Sequence, residues 1–152
     1  MEYLAKIIQE EKLKAIGVSN FEPKHLDELL ANCEIKPMVN QIELHPAFRQ
    51  KELLAYCQEK NIKVMAYMPL MAGNCQNNEV IKQLAQKHQA TPAQICLWWV
   101  YQQGAIAIPK SKNKERIIEN TQIENFSLDK EDMDLIDAIS EKKYDWDPRE
   151  VE

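Results

Sequence analysis

The residues best suited to chemistry in this chain sit where short apolar runs stop. Ser19 and Asn20 follow the run 15–18, Gln41 and Glu43 lie late in 38–43, and Tyr67 closes 64–67. Lys110 and Ser111 follow the run 105–108 and Pro109. Two serine hydroxyls, two amides, a carboxylate, an aromatic ring and a cation at four such ends are the parts of a binding face. Polar residues also cap strands and start helices, so one such end means little and four together mean more. The stretch from Pro109 through Arg116 to Asn120 is the best candidate anion site. It runs from an apolar run into a helix, so backbone N–H groups and the positive end of the helix dipole face the run's end. Arg116 and Asn120, four apart, share a helix face. Lys110 and Arg116 are suited to clamp a phosphate, Arg through its forked donors. A solvated, charged helix start is the competing reading, because Lys112, Lys114 and Glu115 add charges with no evident role.

Other chemistries find less support. The four cysteines, Cys33, Cys57, Cys75 and Cys96, contain no Cys-x-x-Cys pair, which argues against a zinc ribbon or a redox couple. His25, His45 and His88 lack metal-ligand spacing, and no metal site is expected. The chain has 152 residues, with 19 Lys+Arg against 24 Asp+Glu and a formal net charge of −5. That balance disfavours nucleic-acid binding, which needs clustered positive charge. No apolar run approaches the ~18 residues of a spanning helix, and no secretory segment follows Met1. No membrane association is expected, and the cytoplasm is the expected compartment.

The elements that must position these residues alternate. Helical spacing of apolar residues marks 3–11, a segment from Pro23 with Leu26, Leu29 and Leu30, then 51–59 and 79–88. Thr91-Pro92 is a helix start, Thr as N-cap and Pro in the first turn, leading into Ile95, Leu97, Trp98 and Trp99. Further helices are expected from about Lys114 and Lys130, the last capped by Ser127 or Asp129. Short apolar strands are expected at 15–18, 38–43, 64–67 and 105–108. Four strands separated by helices imply an α/β chain with a parallel sheet. Short, apolar strands are expected where both sheet faces are covered. A doubly wound sheet and a piece of a (β/α)8 barrel are both compatible with this rhythm. The lack of Gly-x-Gly-x-x-Gly weighs against the dinucleotide-binding doubly wound form. Against the ~250 residues of a typical barrel, this chain is about half of one.

Ile16-Gly17-Val18-Ser19-Asn20-Phe21 and Asn40-Gln41-Ile42-Glu43-Leu44-His45-Pro46 resemble signatures of the aldo-keto reductases. Tyr67 with Pro69-Leu70 resembles the family's next strand end. Ile108-Pro109-Lys110-Ser111 with Arg116 to Asn120 resembles its cofactor-phosphate motif. The four occur in the family's order and cover nearly the whole chain. The resemblance implies strands five to eight of a (β/α)8 TIM barrel: four parallel strands with flanking helices over residues 1–140, then a tail over 141–152, ordered or half-ordered. It also implies NADPH as cofactor and an aldehyde or ketone as substrate. Ser19, Asn20 and Gln41 would hydrogen-bond the nicotinamide carboxamide, and Tyr67 would stack on its ring. Leu70 would lie near the pyrophosphate. Lys110, Ser111 and Arg116 would hold the 2′-phosphate, and Glu119 and Asn120 would meet the adenine. His45 would be structural.

Two positions depart from the family's pattern. Met68 stands where a small hydroxyl residue is frequent, and Met71 where Gly is common. The family's Asp, Tyr, Lys and His set, with Tyr as general acid, would lie before Met1, so no catalytic residue is expected among these 152. Three functions follow as alternatives. The chain is the cofactor-binding C-terminal half of a reductase, inactive alone and partnered by a missing N-terminal half. It is a non-catalytic half-barrel that self-associates as a homo-oligomer or serves as an interaction module through its open strand edges. Or it is a doubly wound nucleotide or flavin binder, which would show a reversal in strand order.

Overall fold

The computed structural model describes residues 13–145, so the helix expected at 3–11 and the end of the tail lie outside the described residues. The chain forms two compact units. Among described residues the first holds 13–42 and Gln50–Met65, and the second holds Glu43–Arg49 and 66–145.

In the first unit lie β1 (Gly17–Ser19), α1 (Pro23–Asn32), most of β2 (Val39–Glu43), α2 (Lys51–Glu59) and the start of β3 (Lys63–Tyr67). β1 runs parallel to β2, with Gly17 opposite Val39 and Ser19 opposite Gln41. That approach is close: a Cβ on Gly17 would stand 2.9 Å from the carbonyl oxygen of Val39. Pro23 opens α1 as its fixed φ favours, and His25 Nδ1 accepts from the Glu22 N–H at 3.1 Å. Leu26 of α1 and Leu53 and Cys57 of α2 form the buried faces. Buried Asn40 pins the turn after β1, donating to the Phe21 carbonyl at 2.8 Å and accepting from its N–H at 3.3 Å.

The second unit contains the ends of β2 and β3, a 3-10 helix (Met71–Asn77), α3 (Glu79–Lys87), α4 (Pro92–Gln102), β4 (Ile106–Ala107), α5 (Lys114–Glu119) and α6 (Lys130–Asp137). Its core is built on α4, where Ile95, Cys96, Leu97, Trp99 and Val100 are buried, with Ile81 and Leu84 of α3 and Ile136 of α6. Each large side chain so buried contributes roughly 1.5–3 kcal/mol. Thr91 caps α4 by a capping box: its Oγ1 accepts from the Gln94 N–H at 3.3 Å, and Gln94 Oε1 accepts from the Thr91 N–H at 2.9 Å. Asp129, not Ser127, caps α6, accepting from the Asp132 N–H at 2.9 Å.

The four strands are parallel and lie in the sheet in chain order, β1-β2-β3-β4. That order has no reversal, which removes the doubly wound alternative. The expectation of strands covered on both faces fails at the two ends of this order. Gly17 and Ser19 of β1 and Ile106 of β4 are exposed, because β1 and β4 have a strand neighbour on one side only among the described residues. β4 is also shorter than the four residues expected, and β1 begins two residues later. The 3-10 helix at Met71–Asn77 had no periodic signal to announce it.

Candidate functional site

In the first unit, the β1–β2 register brings Ser19, Asn20 and Gln41 together. Ser19 Oγ donates to the Gln41 carbonyl at 2.9 Å, and the Asn20 N–H donates to the same oxygen at 2.9 Å. Asn20 holds a left-handed backbone at φ 58°, a conformation Asn tolerates better than most side chains. The Gln41 amide lies 3.4 Å from Met65 Sδ, leaving its side chain half-buried at the end of the strand.

In the second unit, a cavity of 440 Å³ gathers Leu70, Lys110, Ser111, Arg116, Glu119 and Asn120 from three separate stretches of chain. Its remaining wall is Met68, Pro69, Ala72, Gly73, Cys75, Gln76, Ala93, Ile108 and Pro109. The volume lies in the range of small-molecule sites, and the lining has their character, mostly apolar with a few convergent polar groups. Tyr67, half-buried at the end of β3, is not part of this lining. Among the described residues neither Lys110 nor Arg116 forms an ion pair, which leaves two cations turned to a cavity that Glu119 alone lines with a carboxylate.

Local chemistry explains how the loop is held. Ser111 Oγ accepts from the Asn113 N–H at 3.1 Å, and Asn113 Oδ1 accepts from the Arg116 N–H at 3.0 Å. These bonds fix the turn that delivers Lys110 and Arg116, and they occupy one of the helix-start N–H groups expected to face an anion. α5 has only six residues, so the side-chain cations rather than a helix dipole carry the charge here. Glu119 Oε1 accepts from Thr91 Oγ1 at 2.7 Å, and Gln94 Nε2 donates to the carbonyls of Glu119 and Gln122 at 3.2 and 2.8 Å. The start of α4 therefore positions the end of α5. The sequence offered Thr91 only as a cap.

The wall after β3 is strained. Met68, Met71 and Ala72 have φ of 51°, 57° and 52°, and Gly73 has 88°. Non-glycine residues in this region persist only where the surroundings over-determine them, and they gather at ligand sites. The Met71 side chain is buried and outside the lining, so its departure from glycine costs the cavity no space.

A second polar centre in this unit escaped the sequence reading. Glu43, fully buried, accepts from Lys143 Nζ at 2.9 Å, from the Tyr144 N–H at 2.6 Å and from the Asp145 N–H at 3.1 Å, with His45 Nε2 at 3.0 Å. Burial pushes the Glu43 carboxyl up, but Lys143, the Tyr144 N–H and His45 outweigh it and hold the pKa below the ordinary value. Burial keeps His45 below its ordinary value as well, against the pull of Glu43. The neutral imidazole with hydrogen on Nε2 satisfies that contact. Residues 143–145 of the expected tail are thus tied to the end of β2. His45, fully buried, contacts Glu43 within this centre. No helix among the described residues is long and apolar enough to cross a membrane, and none of their His, Cys, Asp and Glu residues cluster in threes suited to a metal.

Comparison with known proteins agrees with this fold. A model of the "Aldo/keto reductase family" matches residues 1–141. Glyoxal reductase of Bacillus subtilis is 51% identical over 137 residues, spanning 90% of this chain and 50% of that protein. The 9,11-endoperoxide prostaglandin H2 reductase of Trypanosoma cruzi is 47% identical over 143 residues, spanning 92% and 50%. The crystal structure of a Gox0644 mutant in complex with NADPH superposes with a TM-score of 0.92 at 38% identity, covering 99% of this chain and 56% of that one. The chain spans about half the length of the curated relatives it matches. Its four parallel strands and their helices correspond to about half of the TIM barrel of such enzymes, and the chain belongs to the aldo/keto reductase family.

Proposed function

We propose that this chain is the NADP(H)-binding, C-terminal half of an aldo-keto reductase that reduces an aldehyde or ketone. The single observation that carries the reading is the convergence of Lys110, Ser111 and Arg116 on one cavity with Leu70, Glu119 and Asn120. A cavity with two cations without ion-pair partners among the described residues, a hydroxyl and apolar walls fits a phosphorylated nucleoside. In this reading Lys110 and Arg116 neutralise the 2′-phosphate and Ser111 bonds it. Glu119 and Asn120 meet the adenine, and Leu70 lies along the pyrophosphate. In the first unit, Ser19, Asn20 and Gln41 supply the amide and hydroxyl partners that a carboxamide requires, and the Tyr67 ring offers a flat face for the nicotinamide. When bound, NADPH supplies the hydride.

The cavity lining contains no tyrosine, aspartate or histidine, and every residue assigned here has a cofactor-binding role, none that of a general acid. The proton donor belongs to a part of the enzyme this chain does not span, and the chain alone is inactive. The names of two relatives, a glyoxal reductase and a 9,11-endoperoxide prostaglandin H2 reductase, support a small or lipid-derived oxygen compound as the substrate class in this reading. The test is titration of NADPH and NADH against the purified chain and its Arg116→Ala variant. NADPH binding should weaken by roughly 10- to 150-fold, the worth of a hydrogen bond to a charged group at ~1.5–3 kcal/mol, with NADH little changed. Equal loss for both nucleotides would overturn the assignment.

A second reading, a half-barrel that self-associates, is favoured by one observation. Ile106 of β4, at the end of the strand order, is 46% exposed. An apolar edge of this kind is a template for a second strand.

A further inference from the structure

The capping box of α4 does more than start a helix. Thr91 Oγ1 accepts from the Gln94 N–H at 3.3 Å, which is all that an N-cap requires. Its proton is left over and is used 28 residues along the chain, where Thr91 Oγ1 donates to Glu119 Oε1 at 2.7 Å. Gln94 divides its amide in the same way. Its Oε1 accepts from the Thr91 N–H at 2.9 Å, while Nε2 donates to the main-chain carbonyls of Glu119 at 3.2 Å and Gln122 at 2.8 Å.

These bonds run from a rigid base to a cavity wall. Ala93, Ile95, Cys96 and Leu97 anchor α4 in the core, and Glu119 and Asn120 line the cavity. Gln94 holds the main chain at the end of α5, and Thr91 holds the Glu119 carboxylate itself through a charge-assisted bond. A glutamate side chain has many rotamers to lose; tied at Oε1, this one keeps a single orientation. Oε2 is then the oxygen left for a ligand, and Glu119 forms no ion pair among the described residues. An ionised carboxylate only accepts hydrogen bonds, so the ligand group that faces Oε2 is a donor.

We propose that Thr91, supported by Gln94, is a positioning residue that fixes Glu119 to select a base with an exocyclic amino group over one with a carbonyl in its place. The inference rests on the nucleotide reading above and adds to it two residues that touch no cofactor. A carbonyl base sets its own lone pairs against Oε2 and leaves both acceptors unpaired, the way a polar site rejects a near-isostere. The two roles of Thr91 separate because they use opposite halves of one hydroxyl. Asp caps a helix at least as well as Thr, but an ionised Asp has no proton to give and sets a like charge against Glu119. Ser keeps both the acceptor and the donor.

The test is calorimetric titration of the whole chain, and of Thr91→Asp and Thr91→Ser, with NADPH, NADH and deamino-NADPH, whose base has a carbonyl where adenine has its amino group. The wild-type chain should prefer NADPH to deamino-NADPH by roughly 10- to 150-fold, the worth of a hydrogen bond to a charged group. In Thr91→Asp that preference should fall toward parity while the preference for NADPH over NADH stays, and Thr91→Ser should match the wild type. Equal affinity of the wild-type chain for NADPH and deamino-NADPH overturns the proposal. So does a folded Thr91→Asp variant with the amino preference intact. In either case a kept preference for NADPH over NADH leaves the phosphate assignment standing, whereas a chain that binds no nucleotide overturns both. The wild-type comparison needs no variant, so a substitution that fails to fold leaves the test intact.

Discussion

Lys143 and Glu43 form an ion pair across 100 residues of sequence, with Nζ 2.9 Å from Oε2 and the carboxylate fully buried. A buried charge is tolerated only when it is paired and hydrogen-bonded. Glu43 meets that condition through the tail, which ties residues 143–145 to the end of β2. Lys143→Met leaves the carboxylate buried without its cation. The expected loss is about 3 kcal/mol, the lower end of the range for breaking a buried pair, because two main-chain donors remain. Urea unfolding reads it as a lower midpoint at unchanged slope; a loss below ~0.5 kcal/mol would contradict the role given to Lys143.

The same centre sets a pH dependence. The folded-state pKa values of both Glu43 and His45 lie below their ordinary values. For a depressed pKa the unfolded chain binds the proton more readily, so the stability it contributes is present above the unfolded pKa and is lost as pH falls toward the folded one. Stability should therefore fall on acidification from about pH 6.5 for His45, then again from about pH 4.3 for Glu43, the ordinary values of these groups. Thermal unfolding from pH 8 to pH 4 checks this, and Glu43→Gln should flatten the lower step.

Gly17 meets the Val39 carbonyl where a Cβ would stand 2.9 Å from the oxygen and 3.2 Å from the Val39 Cβ. Backbone cannot yield as a flexible side chain does. Gly17→Ala should cost about 1–3 kcal/mol, as overpacking does, and denaturant unfolding measures it. Unchanged stability would mean that β1 and β2 pair less closely than described.

Ile106 on β4 bears on self-association. At micromolar concentration the chain should sediment as a dimer or larger species, and Ile106→Lys should shift it toward monomer, since a charge blunts an open edge. A compact monomer for the unsubstituted chain contradicts the second reading and leaves the first intact.

Local signals were legible where a residue's own backbone preference decides the structure. Pro23, Thr91-Pro92 and Asp129 mark helix starts that the structure keeps, and 51–59 is a helix at the expected bounds. Signals that need a distant partner were not legible. Nothing near Glu43 foretells Lys143, and nothing near Thr91 foretells Glu119. The polar residues of the site were found by type and motif. That Leu70, Lys110, Ser111, Arg116, Glu119 and Asn120 share one cavity, while Tyr67 is not part of its lining, is information that only the folded chain contains.

Calorimetric titration with 2′,5′-ADP and with 5′-AMP separates the phosphate from everything else in the nucleotide. If Lys110, Ser111 and Arg116 hold a 2′-phosphate, the doubly phosphorylated ligand should bind at least ~10-fold more tightly, from a charge-assisted contact worth ~1.5 kcal/mol or more, and Arg116→Ala should erase the difference. Equal affinity for the two ligands, with the protein folded, would show that these side chains recognise no 2′-phosphate.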